Sequence, residues 1–117
     1  MTANTRFADD DWRSGKVPVP VPLYQQIFAS GRFEHHLRVV DALRPIAQRR
    51  GLSLAQLALA WVIHQPGITA AIVGARSVSH ITEAASAGSI TLSAQDLADI
   101  EAACDGARAE ARMEVEE

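Results

Sequence analysis

The sequence predicts an α/β fold that is mostly helical, with one strand of the parallel-sheet type at about residues 68–73. Three observations carry this expectation. Ile68-Thr69-Ala70-Ala71-Ile72-Val73 is a continuous apolar run rather than an alternating one, as in a strand covered on both faces. It is bracketed by Pro66-Gly67 and Gly74, which are turn signals. The segments around it place apolar residues at helical spacing behind serine-based capping signals.

Residues 1–33 read as irregular. Asp9-Asp10-Asp11-Trp12-Arg13 is a charged cluster around an aromatic, and Ser14-Gly15 is a turn signal. Val17-Pro18-Val19-Pro20-Val21-Pro22 reads as extended or polyproline, because proline cannot donate to a ladder. A short helix is expected at 22–29. The first long helix is expected over 35–50, with Val39, Val40, Leu43, Ile46 and Ala47 as its apolar stripe. Pro45 should kink it, Arg49 and Arg50 suit its negative end, and Gly51 suits its C′ position.

The second helix opens on Ser53 with Gln56 three residues on, a capping-box pattern, and Leu52 and Leu57 can staple it. Its body, Leu54–Ile63, is apolar nearly all round and is expected to be buried on several faces, with Trp61 in the core. Pro66-Gly67 ends it. After the strand, a third helix begins at Ser77 or Ser79 and runs to about Ala87. A fourth begins at Ser93, with Asp96 three residues on and Leu97, Ile100 and Cys104 as its stripe. The charged tail from Asp105 is expected to fray. A buried parallel strand without neighbours would leave its backbone groups unpaired. The chain therefore reads as an incomplete fold unless it oligomerises or reorganises as a helical bundle.

Composition narrows the function classes. The chain has 117 residues, enough for one modest domain, and its 48% hydrophobic content is that of a packed globule. A net charge of -3 gives no reason to expect a nucleic acid or an anionic membrane. One cysteine excludes an internal disulfide framework. No run is long enough to span a membrane and no signal pattern opens the chain, so a cytoplasmic location is expected. Adjacent His35 and His36 point to different sides of a helix, and Asp9–Asp11 lacks the ligand spacing of a calcium loop, so no metal site is expected.

The stretch with chemistry is Gly74-Ala75-Arg76-Ser77. A strand that delivers a glycine and an arginine to a helix start makes an anion site, with free N–H groups, the positive end of the dipole and a planar guanidinium.

Leu52-Ser53-Leu54-Ala55-Gln56-Leu57-Ala58-Leu59-Ala60-Trp61-Val62, Pro66-Gly67-Ile68-Thr69 and Ile72-Val73-Gly74-Ala75-Arg76-Ser77 together resemble the C-terminal part of an aldo-keto reductase. Asp10-Asp11-Trp12-Arg13 upstream, and Leu92-Ser93 with Leu97 downstream, are similar too. The resemblance implies the C-terminal fragment of a (β/α)8 TIM barrel, with 68–73 as its last strand. It implies a single partial domain over 1–117: an irregular loop segment at 1–33, the last barrel helices and strand at 34–91, and an accessory helix and tail at 92–117.

The family reduces aldehydes and ketones with NADPH, so the resemblance implies NADP(H) as cofactor. Gly74 matches the glycine that lets the backbone approach the 2′-phosphate, Arg76 the basic position that pairs with it, and Ser77 a cap or hydroxyl donor. His80 falls where glutamine or arginine is usual, and Glu83 matches an acidic residue near the adenine. Ala84 replaces an asparagine, which weakens adenine recognition. The family's catalytic Tyr, Lys, Asp and His motifs are absent. Tyr24 and Lys16, the only residues of their kinds, lie in the irregular segment, so no catalytic residue is carried over. Cofactor binding is accordingly expected to be weak or lost, and standalone catalysis absent.

Two other readings compete. In one, the chain is a helical interaction module whose exposed apolar face binds a second copy or the missing part of the barrel. In the other, Arg50-Gly51-Leu52-Ser53 joins two helices as in a helix-turn-helix DNA-binding protein. There the second helix offers only Gln56 as a base reader, on a net acidic chain.

Overall fold

The computed structural model describes residues 7–14 and 32–115. The expected extended segment 17–22 and short helix 22–29 lie outside these residues. The described residues form five α-helices: α1 (Arg32–Ala42), α2 (Arg44–Arg50), α3 (Leu54–Ile63), α4 (Val78–Ser86) and α5 (Ala94–Val115), with single 3-10 turns at Trp12–Ser14 and Ala87–Ser89. They fall into two compact units. One holds the described residues up to Ala42 with those from Cys104 onward; the other is Leu43–Ala103.

In the first unit, the 3-10 turn is closed by Ser14 N–H donating to Asp11 O at 2.9 Å. Arg13 pairs with Asp11 through its side chain and backbone N–H, and its guanidinium lies 4.5 Å from the centroid of the Phe7 ring. The Asp11 carboxylate holds the Arg13 guanidinium above its ordinary pKa. Phe7 and Phe33 meet with ring centroids 5.9 Å apart. Leu37 of α1 and Ala107 of α5 are the buried apolar residues there.

The second unit shows why these residues form these helices. The helix expected over 35–50 is two. It breaks at Leu43, and Pro45 occupies the first turn of α2, where its missing N–H leaves no ladder bond unmade. Gly51 ends α2 with φ 65°, its N–H donating to Gln48 O at 3.1 Å while Leu52 N–H donates to Ala47 O at 2.9 Å. That pair of bonds is a Schellman motif. α3 opens on the expected capping box: Gln56 N–H donates to Ser53 Oγ at 3.1 Å, and Ser53 N–H to Gln56 Oε1 at 2.9 Å. Leu57 and Ala60 are buried on α3, Ala55 and Ala58 are exposed, and Trp61 is half-buried, so the helix is covered on one side rather than several. α3 packs against α2, α4 and the turn Ala87–Ser89.

The β-strand expected at 68–73 is not there; among the described residues there is no strand at all. The fold of this chain is helical. Pro66 and Gly67, with φ 82° at Gly67 and Ile68 N–H donating to Gln65 O at 3.1 Å, form a turn of the type II pattern. From there residues 69–75 continue without regular structure. The physical reason is the lack of a partner: no described segment lies alongside to accept and donate ladder bonds, and Ile68, Ile72 and Val73 are exposed. An apolar run reports burial in a sheet only where a sheet exists.

α5 opens on a second reciprocal cap. Asp96 N–H donates to Ser93 Oγ at 3.1 Å, and Ser93 N–H donates to Asp96 Oδ2 at 2.9 Å. The helix continues to Val115, through the charged segment expected to fray.

Candidate functional site

The expected site residues Gly74, Arg76, Ser77, His80 and Glu83 lie along one stretch that runs from the irregular segment onto α4. Ser77, with extended backbone (φ -148°, ψ 162°), is the N-cap of α4 and accepts from His80 N–H at 3.2 Å. Its hydroxyl also lies 2.9 Å from Ser79 Oγ. A helix's first turn has no intrahelical acceptors, so the Val78 and Ser79 N–H groups point outward at the positive end of the dipole.

Arg76 immediately precedes this cap. It is exposed and makes no ion pair or hydrogen bond among the described residues. A Cβ added at Gly74 would meet nothing within 4 Å, and its φ is not in the left-handed region. Gly74 therefore leaves open space beside the backbone and is not needed for a turn. His80 is exposed and Glu83 half-buried, one turn apart on α4. The Glu83 carbonyl accepts from Ser86 Oγ at 2.6 Å. Ala84, one residue further, lines a shallow groove of about 380 Å³ between α3, residues 69–73 and α4, together with Leu59, Ile63, Val73 and Ile81. This arrangement offers an anion a guanidinium, two amides and a helix dipole. Among the described residues no group of His, Cys, Asp and Glu side chains is placed to hold a metal ion.

The structure also gives polar residues contacts that the sequence did not indicate. His64 caps α3: its Nδ1 lies 2.7 Å from Ala60 O, and Leu92 N–H donates to its Nε2 at 3.2 Å. An Nε2 that accepts leaves the ring proton on Nδ1, which donates to Ala60 O. The ring thus joins the end of α3 to the residue just before the α5 cap. Arg49 and Arg50 reach α5 rather than only offsetting their own helix dipole. Arg49 Nη2 donates to Asp99 Oδ2 at 2.6 Å and to Asp96 Oδ1 at 3.4 Å. Arg50 Nη2 donates to Thr91 O at 2.7 Å, and its Nη1 is 3.5 Å from Asp96 Oδ2.

Asp96 is buried, and the Ser93 N–H, the Ser93 hydroxyl and the two guanidiniums hold its carboxyl below the usual carboxylate range. Gln56, the one base reader a helix-turn-helix would have had, is spent inside the fold: its Nε2 donates to Ser86 Oγ at 2.7 Å. No local signal announces the Arg49–Asp99 or His64–Leu92 contacts, because each joins residues far apart in sequence.

A family model described as the aldo/keto reductase family matches residues 1–105. The chain belongs to the aldo/keto reductase family. Among curated relatives, the aldo-keto reductase YhdN of Bacillus subtilis is 31% identical over 101 residues, which is 86% of this chain and 28% of that protein. The methylglyoxal reductase YeaE of Escherichia coli is 32% identical over 85 residues, covering 73% of this chain and 30% of that protein. A probable voltage-gated potassium channel subunit beta of rice is 38% identical over 60 residues, or 51% of this chain and 18% of that protein. The matched stretches span less than a third of the length of these relatives. No solved structure matches the chain. Among the described residues, no helix is long and apolar enough to cross a membrane.

Proposed function

We propose that this aldo/keto reductase chain carries the family's cofactor-phosphate element, in which Gly74–Ser77 and the first turn of α4 bind the 2′-phosphate of NADP(H). The supporting observation is Arg76: an exposed guanidinium with no partner among the described residues, one residue ahead of a serine-capped helix start. In this reading the Arg76 fork pairs with the phosphate, the Val78 and Ser79 N–H groups donate to it, and Gly74 lets backbone and ligand approach. His80 and Glu83 flank the nucleoside side, and Ala84 offers it no amide. The cofactor supplies hydride chemistry when bound; the residues named here only bind and orient it. No catalytic tetrad is assigned, so simple aldehydes are expected to show no turnover above background.

The test is an NADPH titration by calorimetry of the chain and its Arg76→Ala variant. Weak binding that is lost in the variant supports the reading. Binding that is the same in both sinks the phosphate role.

A second reading is favoured by the exposed side chains of Ile68, Ile72, Val78 and Ile81. Ile81 also lines the groove, and these exposed apolar side chains offer a docking surface.

A further inference from the structure

We propose that His64 is a pH-sensitive latch between the end of α3 and the segment that leads into α5. The latch is closed while the imidazole ring is neutral, and it releases Leu92 when the ring takes up a proton.

Both ring nitrogens are committed, and to partners of opposite kind. Nδ1 lies 2.7 Å from Ala60 O, which can only accept, and Nε2 lies 3.2 Å from the Leu92 N–H, which can only donate. One form of imidazole satisfies both: the neutral ring with its proton on Nδ1. The protonated ring carries an N–H on each side. It keeps its bond to Ala60 O, but at Leu92 it sets one donor against another.

The Leu92 side has no reserve. The Leu92 N–H makes no other hydrogen bond among the described residues, and Leu92 is 4% exposed, so water does not readily replace the ring. The neighbours of Leu92 are held independently. Arg50 Nη2 donates to Thr91 O at 2.7 Å, and the Ser93 N–H donates to Asp96 Oδ2 at 2.9 Å. Protonation of the ring therefore undoes one contact and leaves the cap of α5 in place.

Neither ring nitrogen bonds a carboxylate that would welcome the added proton. α3 and residues 87–92 carry no charged or titratable side chain. Of the helices packed against α3, α2 brings Arg44, Arg49 and Arg50, and α4 brings His80 and Glu83. The first turns of α5, which follow Leu92, bring Asp96 and Asp99, both engaged by Arg49. Their carboxyls are held below the usual carboxylate range, Asp96 chiefly by Ser93 and Asp99 chiefly by Gln95 and Arg49. They stay ionised between about pH 5 and pH 8, the window in which imidazole ordinarily titrates.

Heteronuclear NMR of the whole chain from about pH 8 to about pH 5 tests the latch. Amide protection is taken relative to the intrinsic exchange rate at each pH. As the His64 ring takes up its proton, read from its nitrogen shifts, protection of the Leu92 amide is expected to fall about tenfold, the equivalent of one hydrogen bond. Protection of the Leu57 amide, which donates to Ser53 O at 2.9 Å at the other end of α3, should hold. In His64→Gln, whose amide oxygen can accept from Leu92 and does not titrate, Leu92 protection should not respond to pH. In His80→Gln the response should persist. A Leu92 amide whose protection is unchanged, or changes out of step with the His64 ring, overturns the proposal. So does a response that survives His64→Gln or disappears in His80→Gln. Loss of Leu57 protection together with Leu92 also overturns it, because that is unfolding and not the release of one contact.

Discussion

Asp96→Asn isolates the contact that fixes the start of α5. Asp96 is 4% exposed, yet it accepts from the Ser93 N–H at 2.9 Å and the Ser93 hydroxyl at 2.8 Å, with Arg49 and Arg50 at 3.4 and 3.5 Å. The asparagine oxygen keeps one of the Ser93 bonds, but the charge that strengthens it is gone. Losing charge-assisted bonding costs about 1.5 kcal/mol, and losing an anion in a helix's first turn adds about 0.5 kcal/mol. The sum is about 2 kcal/mol at neutral pH, or roughly 8 °C in Tm for a chain of this size.

The pH dependence has a definite sign. The folded carboxyl titrates below its unfolded value of about 3.9, so its stabilisation is complete above that pH and is lost as pH falls through the folded value. Urea unfolding followed by circular dichroism should therefore show wild type ahead of Asp96→Asn at neutral pH, with the gap closing as the solution is acidified below about pH 4. Equal stability at neutral pH, or a gap that persists undiminished in acid, refutes this account of the cap.

Other consequences follow from the same packing. His64→Ala removes the ring that bonds Ala60 O and Leu92 N–H and should cost about 2 kcal/mol by denaturant melts, with faster hydrogen exchange at the Leu92 amide. Ser77→Ala should cost about 1 kcal/mol and raise amide exchange in the first turn of α4 while leaving α3 protected. Gly51→Ala, at φ 65°, should cost about 1 kcal/mol, whereas Gly74→Ala should change stability by less than about 0.5 kcal/mol. If Gly74 faces the cofactor phosphate, the same Gly74→Ala chain should bind NADPH more weakly by calorimetry despite its unchanged melting.

Signals confined to a few neighbouring residues survived the passage from sequence to structure. Ser53 with Gln56, Ser93 with Asp96, Gly51 after two arginines and Pro66-Gly67 all place helix ends where they are found, because caps and turns are settled by local bonding. Pro45 was legible as a disturbance but not as a start; a proline fits a helix's first turn better than its middle, so the chain divides at Leu43. Ile68–Val73 was misread because strand formation depends on a neighbour that no run of six residues can announce. Within the candidate site, the serines placed the helix start at Ser77 or Ser79 and the packed chain selects Ser77, whereas the exposure of Arg76 could not be read at all. The reach of Arg49 to Asp99 and of His64 to Leu92 depends on the packed fold, which sequence spacing does not encode.

The turn at Pro66-Gly67 and the cap at Ser77 isolate the stretch between them from the folding of its flanks. Since no bond of either neighbouring helix runs through Thr69–Ala75, the chain can be severed or lengthened there without unmaking a single turn of α3 or α4. That makes the stretch the natural place for a protease to make its first cut. It is also where extra residues, or new termini in a permuted chain, would be accommodated at least expense.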